Sequence, residues 1–171
     1  MPRLFFALWP DDETRSRLAA AVESLPKLPG RLVPARNLHI TLVFIGAVTA
    51  EQEQLLRTGA DAIHAAAFEL NLTQLGCWTH AAVAWLAPEA TPPALLDLVA
   101  RLQSVCREAG LAPDTRPHVP HLTLARKVRR VPAVNLAPIR WQINTFALVE
   151  SAPGRTGSEY RPLAFWPLIP A

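Results

Sequence analysis

The sequence has few cysteines and few charged residues. Only Cys77 and Cys106 are cysteines, and they are too far apart along the chain for a C-x-x-C pair. This excludes a disulfide framework and a cysteine-based zinc site, and two reduced thiols are typical of a cytosolic protein. Charged residues make up only 18% of the chain while half is apolar, which favours an ordinary globular fold over disorder.

Long apolar runs are also missing. The N-terminal segment, MPRLFFALWPDDE, is apolar for only six residues before Pro10. That is too short for the hydrophobic region of a secretory signal and far too short for a membrane span. The sequence therefore predicts a soluble, cytoplasmic protein with no membrane partner.

The chain has 171 residues, which is the length of a single domain, and its formal net charge is +3. Most of the basic residues are arginines, and the mild positive balance favours an anionic partner such as RNA only weakly. No flexible linker divides the chain, so we expect a single domain over residues 1–171.

Periodicity and capping signals predict an alternation of strands and helices. A Thr-x-x-Gln capping box at 49–52 opens the second helix, which we expect to contain His64. Strands and helices in mixed order, with hairpin-like pairs, favour an α+β fold with mainly antiparallel sheets. The predicted strands are 3–9, 39–46, 68–75, 81–87, 121–128, 143–151 and 161–168, and the predicted helices are 12–25, 49–67 and 91–110.

One motif, H-x-T-L, occurs twice, as HITL at 39–42 and HLTL at 121–124. With five histidines in the chain, composition alone gives roughly 0.05 expected occurrences, so two copies point to an internal repeat. In a strand the histidine and the threonine share one face, and the apolar residues share the other. Each copy thus offers an imidazole and a hydroxyl to a groove while its leucine packs inward.

Two imidazoles are the groups that acid–base catalysis near neutral pH requires. Histidine titrates near pH 6.5, so one ring can accept a proton while the other donates one. A hydroxyl on the same face can donate a hydrogen bond to an anionic oxygen. Together, two imidazoles and two hydroxyls would suit a phosphate group.

In these residues the chain resembles the two-histidine phosphoesterases, and more narrowly the RNA 2',3'-cyclic phosphodiesterases of bacteria and archaea, also known as 2'-5' RNA ligases. The resemblance covers nearly the whole chain. It includes RLFFAL, NLHITLVFIG, AVAWL, RPHVPHLTLAR and ALVESAPGRTGSEYRPL.

The resemblance implies a bilobal α+β fold with two antiparallel sheets, helices on the outer faces and a pseudo-two-fold axis. One motif would lie in each lobe, and the active site would lie in the cleft between them. It also implies hydrolysis of a terminal 2',3'-cyclic phosphate to a 2'-phosphomonoester without a metal or other cofactor. Spacing alone cannot tell the two histidines apart.

By the family pattern His39 is the proton donor and His121 the proton acceptor, while Thr41 and Thr123 hold the non-bridging oxygens. Five residues after each histidine stand Phe44 and Arg126, which the resemblance assigns to base stacking and to phosphate contact. Strict strand alternation contradicts that assignment, because an odd offset places a residue on the face opposite the histidine. They could reach the cleft only if the strands bend or bulge.

Other interpretations of the sequence remain open. The same site could ligate RNA through a 2'-5' bond, the chain could be a non-catalytic RNA or nucleotide binder, or a small cyclic nucleotide could be the substrate.

His118 and His121 could form a metal pair, but no carboxylate or cysteine completes a ligand set. No obligate protein partner is evident. GRTGS at 154–158 lacks the phosphate-loop pattern and predicts a hairpin turn.

Overall fold

The computed structural model describes residues 1–170, which form an α+β fold of three α-helices and nine β-strands. A 3-10 turn, Ala35–Asn37, precedes the third strand. The helices are α1 (Asp12–Glu23), α2 (Ala50–Asp61) and α3 (Pro93–Glu108). The strands are β1 (Arg3–Leu8), β2 (Arg31–Leu32), β3 (Ile40–Ala47), β4 (Phe68–Trp78), β5 (Val83–Pro88), β6 (Leu122–Arg126), β7 (Ile139–Ile143), β8 (Thr145–Gly154) and β9 (Gly157–Pro167).

The helix starts follow local capping chemistry. The predicted capping box is confirmed, because the Thr49 hydroxyl accepts from the Gln52 amide and the Gln52 side chain accepts from the Thr49 amide. The N-cap of α1 is Asp11, whose carboxylate accepts from the Thr14 amide at 2.7 Å.

The second helix is shorter than predicted, and His64 lies in the loop after it. Beyond Asp61 the chain leaves the helix to run beside the C-terminal segment. There the Ala67 amide donates to the Ile169 carbonyl, and the Ile169 amide donates to the Ala65 carbonyl. These two bonds satisfy backbone groups that a longer helix would have used internally.

All strands belong to one strongly curled antiparallel sheet of order β7-β4-β5-β6-β3-β1-β8-β9, with β2 paired to β6. The expectation of two separate sheets is therefore wrong. The two halves of the sheet meet where β3 pairs with β6 through Ile40↔Leu122, and beside it the short β2 adds the pairs Arg31↔Arg126 and Leu32↔Ala125. We call the Ile40↔Leu122 pair the seam.

The two halves repeat one order of elements. In the first half, β1 leads through α1 to β3, and in the second, β5 leads through α3 to β6. Each of these strand pairs is antiparallel, and each second strand carries an H-x-T-L motif at its start. The repeated motif thus coincides with a repeated order of strand, helix and strand.

The helices pack on one face of the sheet, which leaves the other face for the site. Leu18 of α1, Leu56 of α2 and Leu102 of α3 are fully buried in the main core cluster with the inward residues of the strands. A second, smaller cluster is formed by Phe5, Ala7, Ala147 and Val149, with Trp9 and Tyr160 against it. Among residues 1–170, no helix is both long and apolar enough to cross a membrane.

Candidate active site

The seam brings the two motifs together. His39 comes directly before β3 and His121 directly before β6, and the first residues of these strands, Ile40 and Leu122, pair with each other. All six residues predicted for the site line one cavity of about 810 Å³: His39, Thr41, Phe44, His121, Thr123 and Arg126. The residues that the sequence pattern selected therefore do line a single cavity in the fold.

Each imidazole is oriented by a backbone carbonyl two residues before it. The Nδ1 atom of His39 lies 2.6 Å from the Asn37 carbonyl oxygen, and that of His121 lies 2.8 Å from the Val119 carbonyl oxygen. A carbonyl oxygen can only accept, so Nδ1 carries the hydrogen in both rings. Nε2 is then the atom that can accept or donate a proton in the cavity, and in His39 it lies 3.1 Å from the Thr41 hydroxyl.

Two β-bulges bring Phe44 and Arg126 onto the face of the histidines. In β3 the register against β1 skips Leu42, and in β6 the register against β5 skips Leu124. An extra residue shifts the alternation by one, so a residue five positions after the histidine returns to the histidine's face. The structure thus answers the objection from strict alternation. Each bulge lies at the leucine of H-x-T-L.

The surroundings of the two histidines differ, although their motifs match. Three aromatic rings surround His39: Phe5 and Tyr160 with centroids at 5.0 Å, and Trp9 stacked at 5.7 Å. Among the described residues, only Trp78 packs against His121 in this way, edge to face at 4.5 Å. Sequence reasoning missed these aromatic neighbours, because Trp9 and Tyr160 lie far from the motifs along the chain.

Electrostatics keep both imidazoles neutral in the free protein. Burial lowers the pKa of His39 to about 4, and the nearby positive charge of Arg15 acts in the same direction. Burial also lowers the pKa of His121, helped by the positive charge of Arg126. An anion in the cavity would oppose these effects and raise both pKa values.

The structure brings together no metal-binding cluster at His118. Within the described residues 1–170, no group of three or more histidine, cysteine, aspartate or glutamate side chains could hold a metal ion. His118 does not line the cavity. Its Nε2 is buried without a hydrogen-bond partner, and burial lowers its pKa.

Comparison with known proteins identifies the family of this fold and site. The sequence profile of the 2'-5' RNA ligase superfamily matches residues 10–155. The chain belongs to this superfamily. It is 34% identical over 169 residues to the RNA 2',3'-cyclic phosphodiesterase of Escherichia coli, covering 97% of this chain and 96% of that protein.

A further relative and a crystal structure agree with this. The RNA 2',3'-cyclic phosphodiesterase of Thermus thermophilus is 30% identical over 173 residues, covering 92% of this chain and 86% of that one. The crystal structure of E. coli LigT complexed with 3'-AMP superposes with a TM-score of 0.84 at 34% identity, over 98% of this chain and 99% of that one. The superfamily fold therefore extends over nearly the whole chain.

Proposed function

We propose that this protein is an RNA 2',3'-cyclic phosphodiesterase, which hydrolyses the terminal cyclic phosphate of an RNA or of a small cyclic nucleotide. The observation that carries the proposal is the pair of H-x-T-L histidines in one cavity, each with Nδ1 held by a backbone carbonyl and Nε2 left for proton transfer. A module that only binds RNA needs no such pair of proton-transfer groups.

The proposed reaction uses the two histidines on opposite sides of the phosphorus. His121 Nε2 takes a proton from water, whose oxygen forms a new bond to phosphorus. The bond between phosphorus and O3' breaks, and His39 Nε2 gives O3' its proton. The product is a 2'-phosphomonoester, and the two imidazoles carry both proton transfers without help from a metal.

The remaining site residues bind the substrate in this proposal. Thr41 and Thr123 donate hydrogen bonds to the non-bridging oxygens, where negative charge grows in the transition state. Phe44, whose side chain is 66% exposed in the cavity wall, stacks on the terminal base. Arg126 supplies a positive charge for a substrate phosphate.

His39 must be protonated to serve as the acid, although its pKa in the free protein is about 4. The bound cyclic phosphate carries a negative charge, which favours the imidazolium form. Trp9, which is stacked on the His39 ring at 5.7 Å, also favours a cation through its negative face. In this proposal the substrate therefore promotes the protonation of its own catalytic acid.

The two halves of the sheet act as two lobes related by a pseudo-two-fold axis, with one motif in each and the active site between them. The repeated order of strand, helix and H-x-T-L strand supports this division. RNA processing and two free cysteines are both consistent with a cytoplasmic protein.

Ligation is the second candidate function, since the superfamily's name describes it. If the 5'-hydroxyl of a second RNA replaces water, the same two histidines can transfer the same protons. The bond to O3' again breaks, and a 2'-5' linkage forms.

The test is incubation of the purified protein with 2',3'-cyclic AMP and with an RNA that ends in a 2',3'-cyclic phosphate, with EDTA present throughout. We expect turnover in EDTA and a 2'-phosphate end almost exclusively, read as 2'-AMP separated from 3'-AMP. Predominant 3'-AMP would mean that the histidine roles are exchanged or that the substrate lies reversed.

Two outcomes of the same experiment would contradict other parts of the proposal. Activity that is lost in EDTA and restored by zinc or manganese would overturn the metal-free mechanism. Binding of the RNA without any turnover would favour a non-catalytic module. Adding an RNA with a 5'-hydroxyl end and looking for a product resistant to 3'-5' ribonucleases measures ligation directly.

A further inference from the structure

Arg15 of α1 is a half-buried arginine that bonds to backbone carbonyls and not to a carboxylate. Among residues 1–170, the ion pairs do not include it. Its Nη1 donates to the Ala35 carbonyl at 2.6 Å and to the Leu38 carbonyl at 3.0 Å, and its Nη2 donates to the Pro10 carbonyl at 3.3 Å. One guanidinium group therefore joins two segments that are separate along the chain.

Both of these segments contact His39. Two of the carbonyls lie in or directly after the 3-10 turn, and the Asn37 carbonyl of that turn accepts the hydrogen of His39 Nδ1. The third carbonyl, that of Pro10, directly follows Trp9, whose ring is stacked on the imidazole at 5.7 Å. Arg15 thus joins the segment that holds Nδ1 to the segment that covers the ring.

Arg15 also packs on the tryptophan itself. The Cζ atom of the guanidinium lies over the Trp9 ring, 4.8 Å from its centroid. A cation over an indole face is attracted by the negative charge of that face, so Arg15 holds Trp9 in its place beside His39. Since Arg15 does not line the cavity, it reaches the reaction only through these neighbours.

The 3-10 turn is fastened on its other side by the buried side chain of Asn37. Its Nδ2 donates to the Ser158 carbonyl of β9 at 2.9 Å. The turn is therefore held between α1 and β9, and the Asn37 carbonyl cannot follow the imidazole if the ring rotates. A fixed partner for Nδ1 keeps Nε2 directed at the cavity.

The positive charge of Arg15 acts on the same ring. Burial is the main cause of the lowered pKa of His39, a backbone carbonyl opposes it, and the charges of Arg15, His121 and Arg126 add to it. Tyr160 of β9 also packs against the ring. A lower pKa makes the imidazolium a stronger acid toward a departing alkoxide oxygen.

We propose that Arg15 is a positioning residue for the catalytic acid: its guanidinium holds Trp9 and the 3-10 turn, and thereby fixes the orientation of the His39 ring. This inference rests on the proposed function, because the ring's orientation affects turnover only if His39 transfers a proton. Lysine cannot replace this arginine fully, since a single ammonium nitrogen lacks the planar set of donors that reaches three carbonyls.

The test compares Arg15→Gln, which removes the charge and the guanidinium, with Arg15→Lys, which keeps the charge. On 2',3'-cyclic AMP, each at its own pH optimum, Arg15→Gln should lower kcat roughly 10- to 100-fold, because a displacement of about 1 Å can cost two orders of magnitude. KM should change little, and Arg15→Lys should lose less. Arg17→Gln is the matched control, because Arg17 lies on the same helix and donates to the Arg140 carbonyl at 3.1 Å, away from His39. It should keep the wild-type kcat.

NMR titration of protein with ¹⁵N-labelled imidazoles measures the ring without turnover. In the wild type and in Arg17→Gln, His39 should be the Nδ1–H tautomer at neutral pH. In Arg15→Gln the Nε2–H tautomer should appear and the pKa of His39 should rise, because a fixed positive charge is gone. In Arg15→Lys the pKa should stay close to the wild-type value. A variant that is only less stable would show a lower Tm with neither change in its folded state.

An unchanged tautomer and pKa of His39 in a folded Arg15→Gln variant would overturn the positioning role and leave the hydrolase. A folded Arg15→Lys variant with the wild-type kcat would do the same, and this comparison is the deciding one if Arg15→Gln does not fold. No hydrolysis of 2',3'-cyclic AMP or of the RNA by the wild-type protein would overturn the proposed function, and the catalytic role of Arg15 with it.

Discussion

At the scale of single residues, two histidines with the same motif differ through what surrounds them. His39 is buried among aromatic rings and its Nε2 meets the Thr41 hydroxyl, whereas His121 has a single tryptophan neighbour. The repeated H-x-T-L motif could locate both imidazoles but could not reveal that their surroundings differ. It depends on Trp9 and Tyr160, which the fold brings in from separate segments.

Removing either imidazole should stop most turnover. We expect His39→Ala and His121→Ala each to lower kcat on 2',3'-cyclic AMP by ~10²–10⁴-fold, the usual contribution of a general acid or base. Circular dichroism should show a folded protein in both cases. His64→Ala, exposed and outside the cavity, is the control. If either cavity variant kept more than half of the wild-type rate, the role proposed for that histidine would be wrong.

The lowered histidine pKa values predict an acidic optimum for kcat/KM. In the free protein His121 must be neutral and His39 protonated, and both pKa values lie below the usual 6.5, so kcat/KM should peak below pH 6.5 and fall toward neutral and alkaline pH. The bound anion raises both pKa values, so the kcat profile should be displaced to higher pH. Initial rates between pH 4 and 9 give both profiles. A kcat/KM maximum above pH 7 would contradict this assignment.

At the scale of elements, strands and helices with strong local signals were predictable from the sequence. The capping box placed the start of α2, and the GRTGS segment does form the turn between β8 and β9. The strands β2 and β7 were missed. β2 is only two residues long and both residues are exposed, so no periodicity marks it. β7 was hidden by the proline-containing connection that precedes it.

The bulges were the other feature that local patterns could not place. A bulge is defined by pairing with a partner strand, and the partners of β3 and β6 are distant in sequence. The sequence therefore raised the question of how Phe44 and Arg126 could reach the cleft, and only the register could answer it.

The Gly30 position gives a test at this scale. Gly30→Ala should destabilise the protein by about 1–3 kcal/mol, because it adds a strained positive φ and a collision with the Arg126 carbonyl. Gly110→Ala is the matched control, since Gly110 has φ +74° but a Cβ there meets nothing within 4 Å. Urea unfolding of both variants separates strain from collision. An equal loss of unfolding free energy in Gly30→Ala and Gly110→Ala would show that β2 tolerates the extra methyl group.

At the scale of the whole molecule, the sequence predicted the α+β class and the convergence of both motifs, but not a single continuous sheet. Whether two strand groups join depends on long-range pairing, and here β3 and β6 share one residue pair, Ile40↔Leu122, with the two-residue strand β2 beside it. The pattern of hydrophobic residues along each strand cannot reveal so short a junction between two groups of strands. Two sheets and one sheet with a narrow seam give the same alternation along each strand.

Global stability should fall as the solution is acidified, partly because of His39. Its pKa is about 4 in the folded protein and near 6.5 in an unfolded chain, so between these values the unfolded state binds more protons. The resulting penalty is absent above pH 6.5 and complete below about pH 4, where it reaches about 3 kcal/mol.

The measurement is the free energy of unfolding in urea at several pH values between 4 and 7. His39→Ala should flatten the pH dependence in this interval, and His64→Ala should leave it unchanged. An unaltered slope in His39→Ala would mean that the buried imidazole does not resist protonation in the folded protein.

The seam also limits how far apart the catalytic acid and base can lie. His39 and His121 directly precede Ile40 and Leu122, which face each other across the sheet. Paired residues of an antiparallel sheet hold their Cα atoms about 4.5–5.5 Å apart. Beside the seam, β2 pairs with β6, and Arg31 of β2 donates to the Thr156 carbonyl of the β8–β9 hairpin. The spacing of the two imidazoles is therefore set by backbone pairing and does not depend on flexible side chains alone.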